Sequence, residues 1–314
     1  MLKTAAILSL TVTWLCSCLE SAQLLRLANE KFELLEKEVV EVVEEVVEVE
    51  EVDVKSMASA QAEFGLELFR ILAKESPLEN VFLSPLTTSV ALMMLYAGAG
   101  STTSETLSRV LRLTRLGASE PHSALGRLLR SLETRGDTKL AARIFTGRGR
   151  VTLKKTFVDK VETNYGASPQ GLLGPSSEDV KMINAWVERR TEGLVKNLLE
   201  DLPEETRLVL VSAIFYKGEW EVKFDAGSTQ LRRFYLDETN STHVFKVPFK
   251  GNKSMVVFLP DQMSPNLTMI VDSLTPELIS GLLAGGLRKK RVTLQMPRME
   301  LMVDSSLESA LSKM

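Results

Sequence analysis

Few side chains in this sequence can do covalent or metal chemistry, and their placement excludes most of it. Both cysteines, Cys16 and Cys18, lie close to the N-terminus, and the two histidines, His122 and His243, are far apart. No Gly-x-Ser-x-Gly elbow or phosphate-cradling glycine loop occurs, and no cysteine–histidine cluster has the spacing of a metal site. The histidines read as incidental, and we expect no catalytic residue, metal or cofactor. Charge is the other available chemistry. Arg143, Arg148, Arg150, Lys154 and Lys155 gather around one glycine-rich turn, and Arg288, Lys289, Lys290 and Arg291 form a second basic run. Each is either an anion-binding patch or a solvated strand end. Asn240-Ser241-Thr242, Asn252-Lys253-Ser254 and Asn266-Leu267-Thr268 are glycosylation sequons. Asn266, expected in a loop past Pro260 and Pro265, is the best acceptor, whereas Asn252 falls in a tight turn.

Those sequons matter because the N-terminus reads as a secretory leader. Lys3, the apolar run Thr4–Leu15 and the small residues around Cys16-Ser17-Cys18 fit a cleavable signal peptide, too short to span a bilayer. Cleavage falls after Cys18 or as late as Ala22. The mature chain would then hold no cysteine, which excludes disulfides, thiolate metal sites and a cysteine nucleophile. Residues 19–58 are expected to be an acidic arm. Within it Glu36–Lys55 carries a net charge of −7, residues 1–35 balance, and Ser56–Met314 carries +4. Its β-branched valines and repelling glutamates disfavour a stable helix. The 44% apolar and 25% charged composition fits a soluble globular body over residues 59–314. We expect neither nucleic acid nor membrane as a partner.

The elements that must position these residues follow from periodicity. Phe64, Leu68 and Leu72 predict a helix over Gln61–Leu72, and Val81–Leu83 a short strand. Ser84-Pro85 then opens a helix ending near Gly98, with serine as N-cap and proline at the first helical position. Further helices are predicted at Thr103–Leu113, Pro121–Leu132, Lys155–Tyr165, Asp179–Leu199 and near Asn266–Leu283. Strands are predicted at Lys139–Phe145, Val151–Leu153, Phe234–Leu236, Val244–Phe249, Met255–Leu259 and Val292–Met296. The continuous apolar run Leu208–Tyr216 reads as a buried central strand. A helical first half followed by strands is an α+β arrangement.

Five blocks in this order resemble the serpin family: Asn80–Leu111, Ile183–Gly193, Leu208–Phe224 with its Lys217-Gly218-Glu219-Trp220, Met255–Pro260 and Val292–Leu301. The resemblance covers roughly Ala60–Met314. It implies a helical N-terminal half and a large central mixed β-sheet, incomplete at the C-terminus. It also implies a secreted inhibitor of a plasmin-like or trypsin-like extracellular serine protease, acting through a cleaved loop that inserts into the sheet. The alternative within the family is a non-inhibitory ligand for matrix or receptor. Ser84, Thr87, Ser212 and Trp220 would then form the gate that lets the sheet open, or simply maintain the fold. Thr87 and Ser212 depart from the family's usual serine and asparagine. Between Thr242 and Lys246 the pattern skips a few tens of residues, and the sequence stops at Met314 before any reactive loop, so this form is not expected to inhibit. The resemblance implies that the basic residues named above would hold sulfated polysaccharide, which several serpins bind.

Overall fold

The computed structural model describes residues 53–76, 79–117, 120–134, 136–147, 151–224, 242–251, 253–260, 266–287, 294 and 306–314. The expected leader, the arm up to residue 52, the strand at Phe234–Leu236 and all but Leu294 of the strand at Val292–Met296 lie outside them. The first helix, α1, covers residues 53–75, so residues 53–58, expected in the arm, are helical. Met57, Ala60, Phe64, Leu68 and Leu72 recur every three or four residues and are all buried. That stripe, not the charge of the preceding tract, decides the local state.

α2 (Pro85–Gly98) follows the Ser84 cap, and α3 (Ser101–Val110) leads into a 3-10 turn at Leu113–Leu116. α4 (Pro121–Glu133) is capped by the Glu120 carboxylate, which accepts from the Ser123 amide at 2.7 Å. With α5 (Lys155–Tyr165) these helices enclose the larger core, built around Phe64, Met93, Leu125, Ile144 and Val161.

A three-stranded sheet lies against that core. Its order is β2 (Pro169–Gly171), β1 (Thr138–Thr146), β3 (Leu208–Tyr216), with β1 parallel to β2 and antiparallel to β3. Alternation along β1 sends Ala142 and Ile144 into the helical core and Phe145 into a second core beneath α6 (Ser176–Arg190). Along β3, Leu208 and Leu210 face the first core, Val209 and Val211 the second. The sheet is thus covered on both faces, which explains the unbroken apolar run of β3.

β3 spans the predicted residues but is less buried than expected. Only Val211 is buried, and among the described residues β3 pairs with β1 alone. Val81–Leu83 and Val151–Leu153 run without strand pairing, because no described strand lies beside them. A separate hairpin joins β4 (Thr242–Pro248) to β5 (Ser254–Pro260). The Thr242–Lys246 stretch is therefore regular strand. Asn266–Leu283, predicted as one helix, divides into α7 (Asn266–Ser273) and α8 (Pro276–Gly281), the latter running into a π turn at Leu282–Gly286. Pro276 forces the break, since it supplies no amide to the turn before it. α9 (Glu308–Ser312) buries Ala310 against the first core, and Lys313 pairs with Glu75 of α1.

Candidate functional site

Ser84 and Thr87 form one local unit at the start of α2. The Thr87 amide donates to the Ser84 hydroxyl at 3.4 Å, while the Thr87 hydroxyl donates back to the Ser84 carbonyl at 3.0 Å. Thr88 donates to the same carbonyl at 3.1 Å. Ser212 stands opposite Ala142 in the β1–β3 ladder, so alternation puts it on the face that carries the helical core. Thr87 and Ser212 thus belong to the same side of the sheet, but the Thr87 hydroxyl is spent on its own helix.

Trp220 belongs to a different place, where the hairpin meets the sheet. It bridges to Phe249 and stacks on that ring at 4.3 Å, with Phe224 edge-on at 5.8 Å. Tyr216, the last residue of β3, meets Phe249 edge-on at 5.4 Å. Beside this aromatic group Lys253 ties three elements together. Its ammonium pairs with Asp137 and donates to the Thr138 hydroxyl at 2.6 Å and the Leu132 carbonyl at 3.3 Å. It also lies 5.0 Å from the Tyr216 ring centre. Hydrogen bonding from Lys253 holds the Asp137 carboxyl below the usual carboxylate range. Sequence reasoning passed over Lys253 except as the middle of a sequon. Its partners are more than a hundred positions away, and no local pattern announces them.

α6 is fastened at its C-terminal end by the second family-like block. Asn184 donates to the Leu199 carbonyl at 2.8 Å and accepts from the Leu199 amide at 2.9 Å, which pins the following loop to the helix. Glu192 and Gly193 both take positive φ, and the Gly193 amide closes on the Glu188 carbonyl at 2.8 Å. The helix therefore stops at Arg190, short of the predicted Leu199.

Of the basic residues expected around one turn, Arg143, Lys154 and Lys155 are described. Arg143 sits within β1, donates to Gln170 and lies 5.3 Å from the Trp186 ring centre. Lys155 is bound to Asp159 one helical turn away at 2.7 Å, which raises its pKa, and Lys154 is the exposed residue before α5. Arg148, Arg150 and Arg288–Arg291 lie outside the described residues, as do Asn240 and Asn252. Asn266 opens α7 instead of standing in a loop.

Of the two histidines, His243 falls in β4 and His122 is far from incidental. His122 is buried in α4, with Nδ1 2.6 Å from the Tyr165 hydroxyl of α5 and its ring 5.4 Å from that of Tyr96. Burial pushes its pKa down to about 4 and that of Tyr165 up. The neutral pair is a buried hydrogen bond between α4 and α5. No group of three or more metal-ligating side chains occurs among the described residues, and no described helix is long and apolar enough to cross a membrane.

Residues 59–314 match the sequence model of the family described as Serpin (serine protease inhibitor). Bovine pigment epithelium-derived factor (Bos taurus) is 30% identical over 83% of this chain and 68% of its own length. Bovine alpha-2-antiplasmin is 33% identical over 83% of this chain, which spans only 56% of that relative. Among solved structures, emu ovalbumin (Dromaius novaehollandiae) superposes with a TM-score of 0.75 at 23% identity, covering 82% of this chain and 77% of its own. Cleaved kallistatin complexed with heparin reaches 0.67 at 26% identity, covering 74% and 76%.

Proposed function

Since this chain belongs to the serpin family, we propose that the protein is a secreted inhibitor of a plasmin-like or trypsin-like serine protease. The match to alpha-2-antiplasmin supports the target class. The observation that carries the reading is the sheet. β3 is a nine-residue strand, covered on both faces and paired on one edge only among the described residues. Such an edge offers a full row of amides and carbonyls to an incoming strand. In this reading Ser84, Thr87 and Ser212 tune the helical side of the sheet, and Trp220 closes its end against the hairpin.

The test uses the secreted protein. Incubated with plasmin and with trypsin, it should form a covalent complex that survives SDS electrophoresis. Cleavage without a complex would refute inhibition. That outcome would favour the second reading, a non-inhibitory extracellular ligand, which draws on the match to pigment epithelium-derived factor.

A further inference from the structure

Residues 191–207 carry the chain from the end of α6 to β3, and apolar side chains stand in the open midway along them. Leu194 is 67%, Val195 38% and Leu198 47% exposed. Lys196 and Asn197 between them are exposed too, and residues 195–197 form no helix, strand or turn. Both ends of this stretch are held. The buried Thr191 accepts from the Val195 amide at 3.1 Å, and Asn184 brackets the amide and carbonyl of Leu199. Between these anchors the amides and carbonyls of Lys196, Asn197 and Leu198 make no hydrogen bond among the described residues, and Lys196 enters no ion pair there.

A protease that takes its substrate as an added strand needs free backbone groups as well as an accessible side chain. Other exposed basic residues between elements do not supply both. The Lys154 carbonyl accepts from the Phe157 and Val158 amides at 3.0 and 3.1 Å, and the Arg207 carbonyl from the Gly147 amide at 2.8 Å. The Lys217 amide donates to the Asp137 carbonyl at 2.9 Å, and that of Lys250 to the Glu219 carbonyl at 2.8 Å. Lys223 precedes Phe224, whose ring packs edge-on to Trp220. At Lys196 the demand is small. Two residues before it, the Leu194 amide would have to leave the Thr191 carbonyl, 3.1 Å away.

We propose that Leu194–Leu198 is a substrate segment for a trypsin-like serine protease, which cuts the bond between Lys196 and Asn197. The long cationic side chain of Lys196 suits a specificity pocket with a carboxylate at its base, and Leu194 and Val195 offer apolar contacts ahead of it. Hydrolysis breaks the C–N bond of that peptide. Water supplies the oxygen that leaves a carboxylate on Lys196 and the proton that leaves a new amine on Asn197. The site goes beyond the inhibitory reading, because here the folded body itself is the substrate and no trapping step is involved.

The test is a short digestion of the secreted protein with trypsin in molar excess, so that free protease remains even where a covalent complex forms. Intact mass and N-terminal sequencing should find a fragment that begins Asn197-Leu198-Leu199. Relative to cleavage of a small peptide, its rate should stay flat as urea rises toward the unfolding transition, because the folded state is what is cut. Lys196→Gln should abolish the fragment and Lys196→Arg should retain it. Absence of the fragment from folded protein, a rate that climbs with urea in step with global unfolding, or the same fragment from Lys196→Gln would each overturn the proposal. The cut is read separately from the covalent complex, so either can fail without the other.

Discussion

At His122 burial decides the charge state, and the charge state feeds back on stability. Its ordinary pKa of 6.5 falls to about 4 in the fold. The unfolded chain therefore takes up the proton first, so stability is complete above pH 6.5 and drains away as the pH drops toward 4. A shift of that size corresponds to about 3 kcal/mol at the acid end. His122→Gln, which keeps a polar group beside Tyr165 without a titrating ring, should flatten urea-derived stability between pH 6.5 and 4. A variant with the parental slope would show that other groups carry the acid sensitivity. Ser84 offers a second test. Its hydroxyl caps α2 and the Thr87 bonds are local, so Ser84→Ala should cost about 1 kcal/mol in denaturant melts. A much larger loss would mean that Ser84 also supports the sheet.

Between elements, close approach and long-range ties do what local propensity does not. A methyl group added at Gly65 of α1 would stand 2.7 Å from the Pro85 ring of α2. The helix-propensity gain of Gly65→Ala is about 1 kcal/mol, whereas overpacking typically costs about 1–3 kcal/mol. The substitution should therefore be neutral to destabilising by up to about 2 kcal/mol, read from the shift of the urea midpoint. At the hairpin junction Lys253 ties α4, β1 and β5 through Leu132, Thr138 and Asp137. Lys253→Met keeps the aliphatic stem and removes the donors. Amide exchange in β5 should then accelerate ahead of that in β1, and equal protection of the two strands would refute the role of Lys253 as a tie. Sequence motifs at this level pointed to the right relatives. Leu202–Thr206 and Val247–Lys250 look like antiplasmin, whereas Phe234–Glu238, outside the described residues, looks like pigment epithelium-derived factor.

For the body as a whole, the two cores share one sheet, and Phe145 is buried on the face of β1 opposite Ile144. Phe145→Ala should cost about 3–5 kcal/mol and shift a single cooperative melt, seen alike by near- and far-UV dichroism. Two separated transitions would show that the cores fold independently. Element types were legible in advance wherever periodicity was strong: α5 matches Lys155–Tyr165 and β3 matches Leu208–Tyr216 residue for residue, and the α+β class follows from them. The ends of α6 and of the Asn266–Leu283 segment were not, since backbone turns at Glu192, Gly193 and Pro276 outweigh apolar spacing. The sequence by itself determined the family, through motifs that are local in the chain. Only the tertiary structure decided which of the described charges come together. Arg143 and Arg190 meet at Trp186 because a strand and a helix distant in sequence pack face to face. Lys155, a member of the expected patch, is paired with a carboxylate one helical turn away. Pairing of charges depends on distance through space, which residue order does not encode until the chain has folded.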